Sequence, residues 1–200
     1  MANSNSPFGL RLLGTSGGST SGTFATVTRI VGSSAAAIFN GDPVMNHATD
    51  GSVIIWAAAQ SVVRLAGIFR GCKYFSTAFQ RVVWSNYWPG SGATGNVEAY
   101  IEPIMASPQL QFVIQASGAV IPVGDVGANF DVVVGSGNTI TGISTTALDS
   151  AQADTSVNTL PFRVLSMWPG APGSIGADAT ASFNWVVVAP NVLKDTGAHS

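Results

Sequence analysis

The apolar residues of this chain come in short runs rich in Val, Ile, Thr and aromatic side chains, set apart by Gly, Pro, Asn and Asp. Such runs suit pleated, half-buried strands, and the residues between them suit turns. Strand patterns recur at 23–31, 35–39, 44–46, 52–58, 62–75, 81–85, 97–104, 110–116, 119–123, 130–134, 162–168 and 182–189. Helical periodicity is weak, and only 57–63 and 145–153 have room for a turn or two of helix. Asn40-Gly41-Asp42-Pro43 is a turn signal, while Gly67 and Gly71 inside the longest strand pattern mark bulges or bends. The expected fold is therefore all-β: an antiparallel β-sandwich or barrel, jelly-roll-like, with long loops. A flexible, Gly/Ser-rich N-terminal arm, 1–22, is expected to precede one β-rich domain, 23–200. Loop insertions are expected near 87–96, 144–160 and 169–181.

Charge is the second constraint. Only 9% of the 200 residues are charged, against about a quarter in ordinary soluble domains. The apolar fraction of 46% is ordinary, so Gly, Ser, Thr, Ala and Asn stand in for the missing charges and the chain should still fold. A free monomer normally keeps its surface charged, whereas large obligate interfaces are depleted in charge. An exterior covered by other chains is the expectation. Nucleic acid is not an expected partner, because eight basic residues are scattered and balanced by ten acidic ones. Of these, Arg64, Arg70, Lys73 and Arg81 suit intersubunit salt bridges or solvated strand faces. The start of the chain lacks the basic and apolar stretches of a signal peptide, and no apolar run nears the ~20 residues of a membrane span. Synthesis in a cytoplasm and no membrane partner follow as expectations. Cys72, the single cysteine, lies in an apolar run and reads as a buried thiol.

Motifs for chemistry lack their context. Gly14-Thr15-Ser16-Gly17-Gly18 matches G-x-S-x-G, but the histidines are His47 and His199, and a Gly/Ser tract supplies neither the strand nor the helix of a nucleophile elbow. Gly90-Ser91-Gly92-Ala93-Thr94-Gly95 fits G-x-G-x-x-G, yet a strand pattern follows where a helix N-terminus is needed, so it reads as a turn. One cysteine and two distant histidines do not make a zinc site, and Asp125, Asp131 and Asp149 lack calcium-loop spacing. Asp42 and Asp125 read as turn residues, and Glu98 and Glu102 as one exposed strand face. No catalytic residue, cofactor or metal is expected, and the chain is not expected to be an enzyme.

Two groups remain as contact candidates: the apolar piece of the arm (Pro7, Phe8, Leu10, Arg11) and the aromatic group Trp84, Tyr87 and Trp88. The aromatic group also suits stacking on a sugar ring, which makes a carbohydrate-binding module or a surface adhesin the alternative expectation.

Ser6-Pro7-Phe8-Gly9-Leu10-Arg11, Gly41-Asp42-Pro43-Val44, Gly67-Ile68-Phe69-Arg70-Gly71-Cys72, Asn86-Tyr87-Trp88-Pro89, Ala99-Tyr100-Ile101, Phe112-Val113-Ile114-Gln115 and Asp131-Val132-Val133-Val134-Gly135 form an ordered set. Together they resemble the head decoration, or cement, proteins of tailed phages. The resemblance implies a β-rich structural virion protein on the outer surface of the capsid. Its partners would be the major capsid protein and itself, as a homo-oligomer with a trimer ahead of a dimer. It would bridge neighbouring capsomers and have no catalytic residues.

Overall fold

The computed structural model describes residues 3–15, 27–31, 36–47, 49–57, 65–104, 110–153 and 160–191. With strands numbered along the chain, a five-stranded sheet has the order β1 (Arg11–Thr15), β10 (Leu110–Gln115), β15 (Trp185–Pro190), β14 (Phe162–Met167) and β11 (Asn129–Phe130). A six-stranded sheet has the order β2 (Val27–Ile30), β9 (Ala93–Pro103), β6 (Leu65–Ser76), β4 (Pro43–Asn46) and β5 (Val53–Ile55), with β7 (Arg81–Ser85) also on β6. Two short pairs complete the set: β3 (Ile38–Phe39) with β8 (Tyr87–Trp88), and β12 (Val132–Val133) with β13 (Ala147–Leu148). All these pairings are antiparallel. The chain is an all-β sandwich, and among the described residues no sheet closes into a barrel.

Burial follows position in the sheet. In β14, Phe162 and Val164 point inward while Arg163 points out, the alternation of a strand with one wet face. β10 and the middle of β15, with neighbours on both sides, are buried on both faces. One core gathers Leu10, Phe112, Ile114, Phe130, Phe162, Val164, Val186 and Val188 with Trp56 and Ile68. A second gathers Ile38, Val44, Phe69, Cys72, Trp88, Val97, Ala99 and Ile101. β6 is the shared wall, giving Ile68 to the first core and Phe69 and Cys72 to the second. At Gly67 it crosses so near β9 that an added Cβ would lie 2.2 Å from the Glu102 carbonyl oxygen. Only glycine fits there.

Residues 3–15 are not an arm. Arg11–Thr15 is an edge strand of the five-stranded sheet, Leu10 is fully buried, and Phe8 is buried edge-on against Trp185 at 4.8 Å. Ser6 N–H donates to Gln115 Oε1, and Asn3 Nδ2 donates to the Asp178 carbonyl. These contacts bury aromatic and aliphatic area, which outweighs the turn-forming composition around them. Residues 16–22, with Ser16, lie outside the described residues. So does the 58–63 part of the first helix candidate. The second candidate is not helical: it holds β13, whose Ala147 and Leu148 are buried. The 119–123 pattern is not a strand either, but an irregular segment leading into a 3-10 turn at Val123–Asp125. The expected loop 87–96 is largely β8 and the start of β9 around a short turn, whereas 169–181 is turn and coil throughout.

Asp42 is more than a turn residue. Its buried carboxylate accepts the Phe39 N–H at 2.8 Å, the Thr146 hydroxyl at 2.7 Å and the Ser144 hydroxyl. Its carbonyl accepts the Phe69 N–H of β6, and the adjoining Gly41 carbonyl accepts the Leu10 N–H. Gly9 N–H reaches the Thr146 carbonyl. Four segments distant in sequence thus meet around Asp42, two of them at its carboxylate and two through the backbone beside it.

Three outcomes follow. Asp42→Ala leaves three buried donors unpaired and should cost about 3 kcal/mol or more in a denaturant melt. Gly67→Ala should lower stability by about 1–3 kcal/mol through overpacking. Deleting residues 2–11 should destabilise the monomer itself, since Leu10 alone is worth about 2–5 kcal/mol when cut to Ala; an unchanged thermal midpoint would contradict its place in the core.

Candidate surface of contact

The aromatic group expected at 84–88 is dispersed. Successive residues of a strand face opposite ways, so Trp84 and Ser85 take different sides of the sheet. Tyr87 and Trp88 belong to another strand, β8. Tyr87 stacks on Phe39 with ring centroids 5.2 Å apart. Trp88 is buried edge-on against Tyr74 at 5.4 Å. Trp84 alone of the three stays open to solvent, resting edge-on against Tyr100 of β9 at 4.6 Å.

What the fold does bring together is the outer face of the β6–β7 hairpin. Beyond Cys72, β6 leaves the shared wall, and its burial changes from continuous to alternating. The register pairs Lys73 with Trp84 and Phe75 with Val82, which puts all four on one face. Val82 and Trp84 are each 56% exposed, Phe75 is 38% exposed, and Phe79 in the connecting turn is 68% exposed. The Trp84 ring lies over Gly71, where an added Cβ would come within 2.9 Å of the indole. An aromatic covering a strand glycine shields its bare backbone. Lys73 pairs with Glu98 at 3.8 Å, half exposed and worth at most about 1 kcal/mol. The sequence carried a signal for this face in the alternation Lys73, Phe75 and Val82, Trp84, but not which face the core would leave uncovered.

The arm residues line a second feature, a cleft of about 280 Å³ bounded by Phe8, Leu10, Arg11, Asn40, Gly41, Arg70 and Ile143. The Arg11 guanidinium lies 4.4 Å over the Phe8 ring, a cation–π contact. Arg70 Nη2 pairs with Glu102, and Arg70 Nη1 lies 3.4 Å from Asn40 Oδ1. Phe8 and Leu10 are therefore the floor of the cleft rather than free docking groups. Arg11 is the exposed member, and Pro7 is half-buried. Glu98 and Glu102 are both engaged by cations from β6 across the pair of strands.

Elsewhere, several polar groups hold the fold together. Ser52 Oγ donates to Asp50 at 2.6 Å rather than to His47, whose Nδ1 lies 2.9 Å from the same carboxylate. That leaves no base on the serine. Asp131 holds the Trp56 indole N–H at 3.1 Å. Among the described residues, no three His, Cys, Asp or Glu side chains stand close enough to hold a metal. Comparison with protein-family models, with curated proteins and with solved structures found no match in any of the three.

Burial raises the Cys72 thiol to about 12. It should resist alkylation at pH 8 in the native protein and react once denaturant is added, because the thiolate is the reactive form. Two carboxylates give opposite pH effects. Hydrogen bonds from Ser52 and His47 hold Asp50 down at about 2, below its ordinary 3.8, so its stabilising contribution is complete above 3.8 and is lost as pH falls toward 2. Burial raises Asp42 above 3.8 despite its three hydrogen bonds, so its native state binds the proton more tightly and stability falls as pH rises through the range just above 3.8. Melts of Asp50→Asn should therefore differ in pH slope from the unaltered chain only at and below about 3.8, and melts of Asp42→Asn only above it.

Proposed function

We propose that this chain is a structural virion protein that binds the outside of a tailed-phage capsid as a homo-oligomer and stabilises it by bridging neighbouring capsomers. The observation that carries this is the hairpin face: Phe75, Phe79, Val82 and Trp84 stand out from a domain whose sequence is only 9% charged. Apolar groups projecting from a charge-poor exterior suit an obligate interface more than a free surface. The resemblance in sequence to decoration proteins points the same way and names the major capsid protein as partner. Arg11, exposed beside the cleft, supplies a cation for a carboxylate of that partner. Each copy would add a modest gain at about 25 cal/mol per Å² of apolar area, multiplied by a repeating lattice that makes the second contact effectively intramolecular.

The glycan-binding alternative keeps only one exposed indole, Trp84, since Trp88 is buried and Tyr87 is stacked on Phe39. One indole, flanked by apolar Phe75 and Val82 and by a Lys73 already paired with Glu98, is a poor sugar platform. The test is occupancy of purified shells. Phe79→Ser with Trp84→Ala should reduce occupancy at least about tenfold, as loss of central interface aromatics does, while the thermal midpoint of the free protein changes little. Normal occupancy, or binding to a glycan array abolished by Trp84→Ala, would reject the capsid role for this face.

A further inference from the structure

β7 is an edge strand with an open side. It pairs with β6 at Cys72↔Ser85, Lys73↔Trp84, Tyr74↔Val83, Phe75↔Val82 and Ser76↔Arg81, and among the described residues no strand pairs with its other side. Alternate residues of such a strand turn their N–H and C=O groups outward, ready for another strand. Edge strands are usually blunted by proline, by bulges or by inward-pointing charge. β7, Arg-Val-Val-Trp-Ser, has no proline, pairs with β6 without a register shift, and carries one charge, at its first residue.

We infer that β7 pairs with β7 of a second copy of this chain, antiparallel, about a two-fold axis at Val83. The register is fixed by counting. The alignment that uses all five residues sets Val83 opposite Val83, Val82 opposite Trp84 and Arg81 opposite Ser85 of the second copy. Any other alignment leaves part of the strand unpaired. In this register the two Arg81 side chains sit at opposite ends of the ribbon, roughly 14 Å apart along the strands, well beyond the ~8 Å screening length of physiological salt. Parallel pairing in register would set them side by side. The cross-strand pairs on the outer face are then Val82 with Trp84, twice, an aromatic against a β-branched residue.

The axis also fits the exposed face. Directly opposed residues of an antiparallel pair share a face, so Phe75, Val82 and Trp84 of both copies point to the same side of the joined sheet. Two apolar patches become one, centred on the axis. A two-fold contact closes at two copies, so the unit it makes is a dimer. This pairing needs no shell and is read on the free protein.

Sedimentation of the full chain over a dilution series should show a two-copy species. Val82→Lys together with Trp84→Lys sets lysine opposite lysine in both outer pairs. It should weaken self-association at least about tenfold, both positions being exposed enough for the fold to tolerate the change. Val83→Cys, on the axis, should form a disulfide-linked dimer on mild oxidation, whereas Arg81→Cys should not. Should the lysine variant melt early, the two cysteine variants decide alone. A monomer at every concentration, a three-copy species, or linkage through Arg81→Cys rather than Val83→Cys overturns the pairing.

Discussion

The buried carboxylate of Asp42 is the point on which the rest of the structure depends. Water would solvate it far better than any protein interior, so burying it is tolerable only with its lone pairs filled. Filling them draws in the Phe39 backbone, Ser144 and Thr146, which lie about a hundred residues apart in sequence. The backbone on either side then locks to β6 and to the N-terminal segment. One costly group thus forces β3, β4, β6, the 144–146 segment and residues 8–10 into a single arrangement.

That arrangement makes β6 the shared wall of two cores, and the wall is shorter than the strand. Where both faces are covered, β6 is apolar or glycine at nearly every position. Where it runs past the second core, one face opens and Lys73 and Phe75 emerge. The exposed hairpin face, the seat of Trp84 on Gly71 and the open edge of β7 all follow from that overrun. The exposed apolar face is a consequence of strand length, not of a separately folded loop.

Much of this was legible in the residues. β4, β5, β6, β7, β10, β14 and β15 fall where the β-branched runs predict them, because alternation or continuous apolarity in a short run has few other uses. The bulge at Gly71 and the turn at 40–43 carry their own local chemistry. Cys72 is buried as its apolar neighbours imply. The failures share a cause. The N-terminal segment reads as an arm because its composition is polar and glycine-rich, yet Leu10 and Phe8 find a core from distant strands. Trp84, Tyr87 and Trp88 read as a cluster because they are near in sequence, and a strand's alternation and a change of strand part them.

The sequence by itself determined the class of fold and the character of the surface, since both depend on local pattern and on bulk composition, which need no partners to act. Tertiary structure alone decided which apolar residues are core and which are exterior. Burial is a property of pairs of segments, and the register of β6 against β7 and β9 fixes those pairs. A tryptophan at 84 and a tryptophan at 88 are the same residue to local physics. Only the sheet each joins leaves the first exposed and makes the second a buried filler.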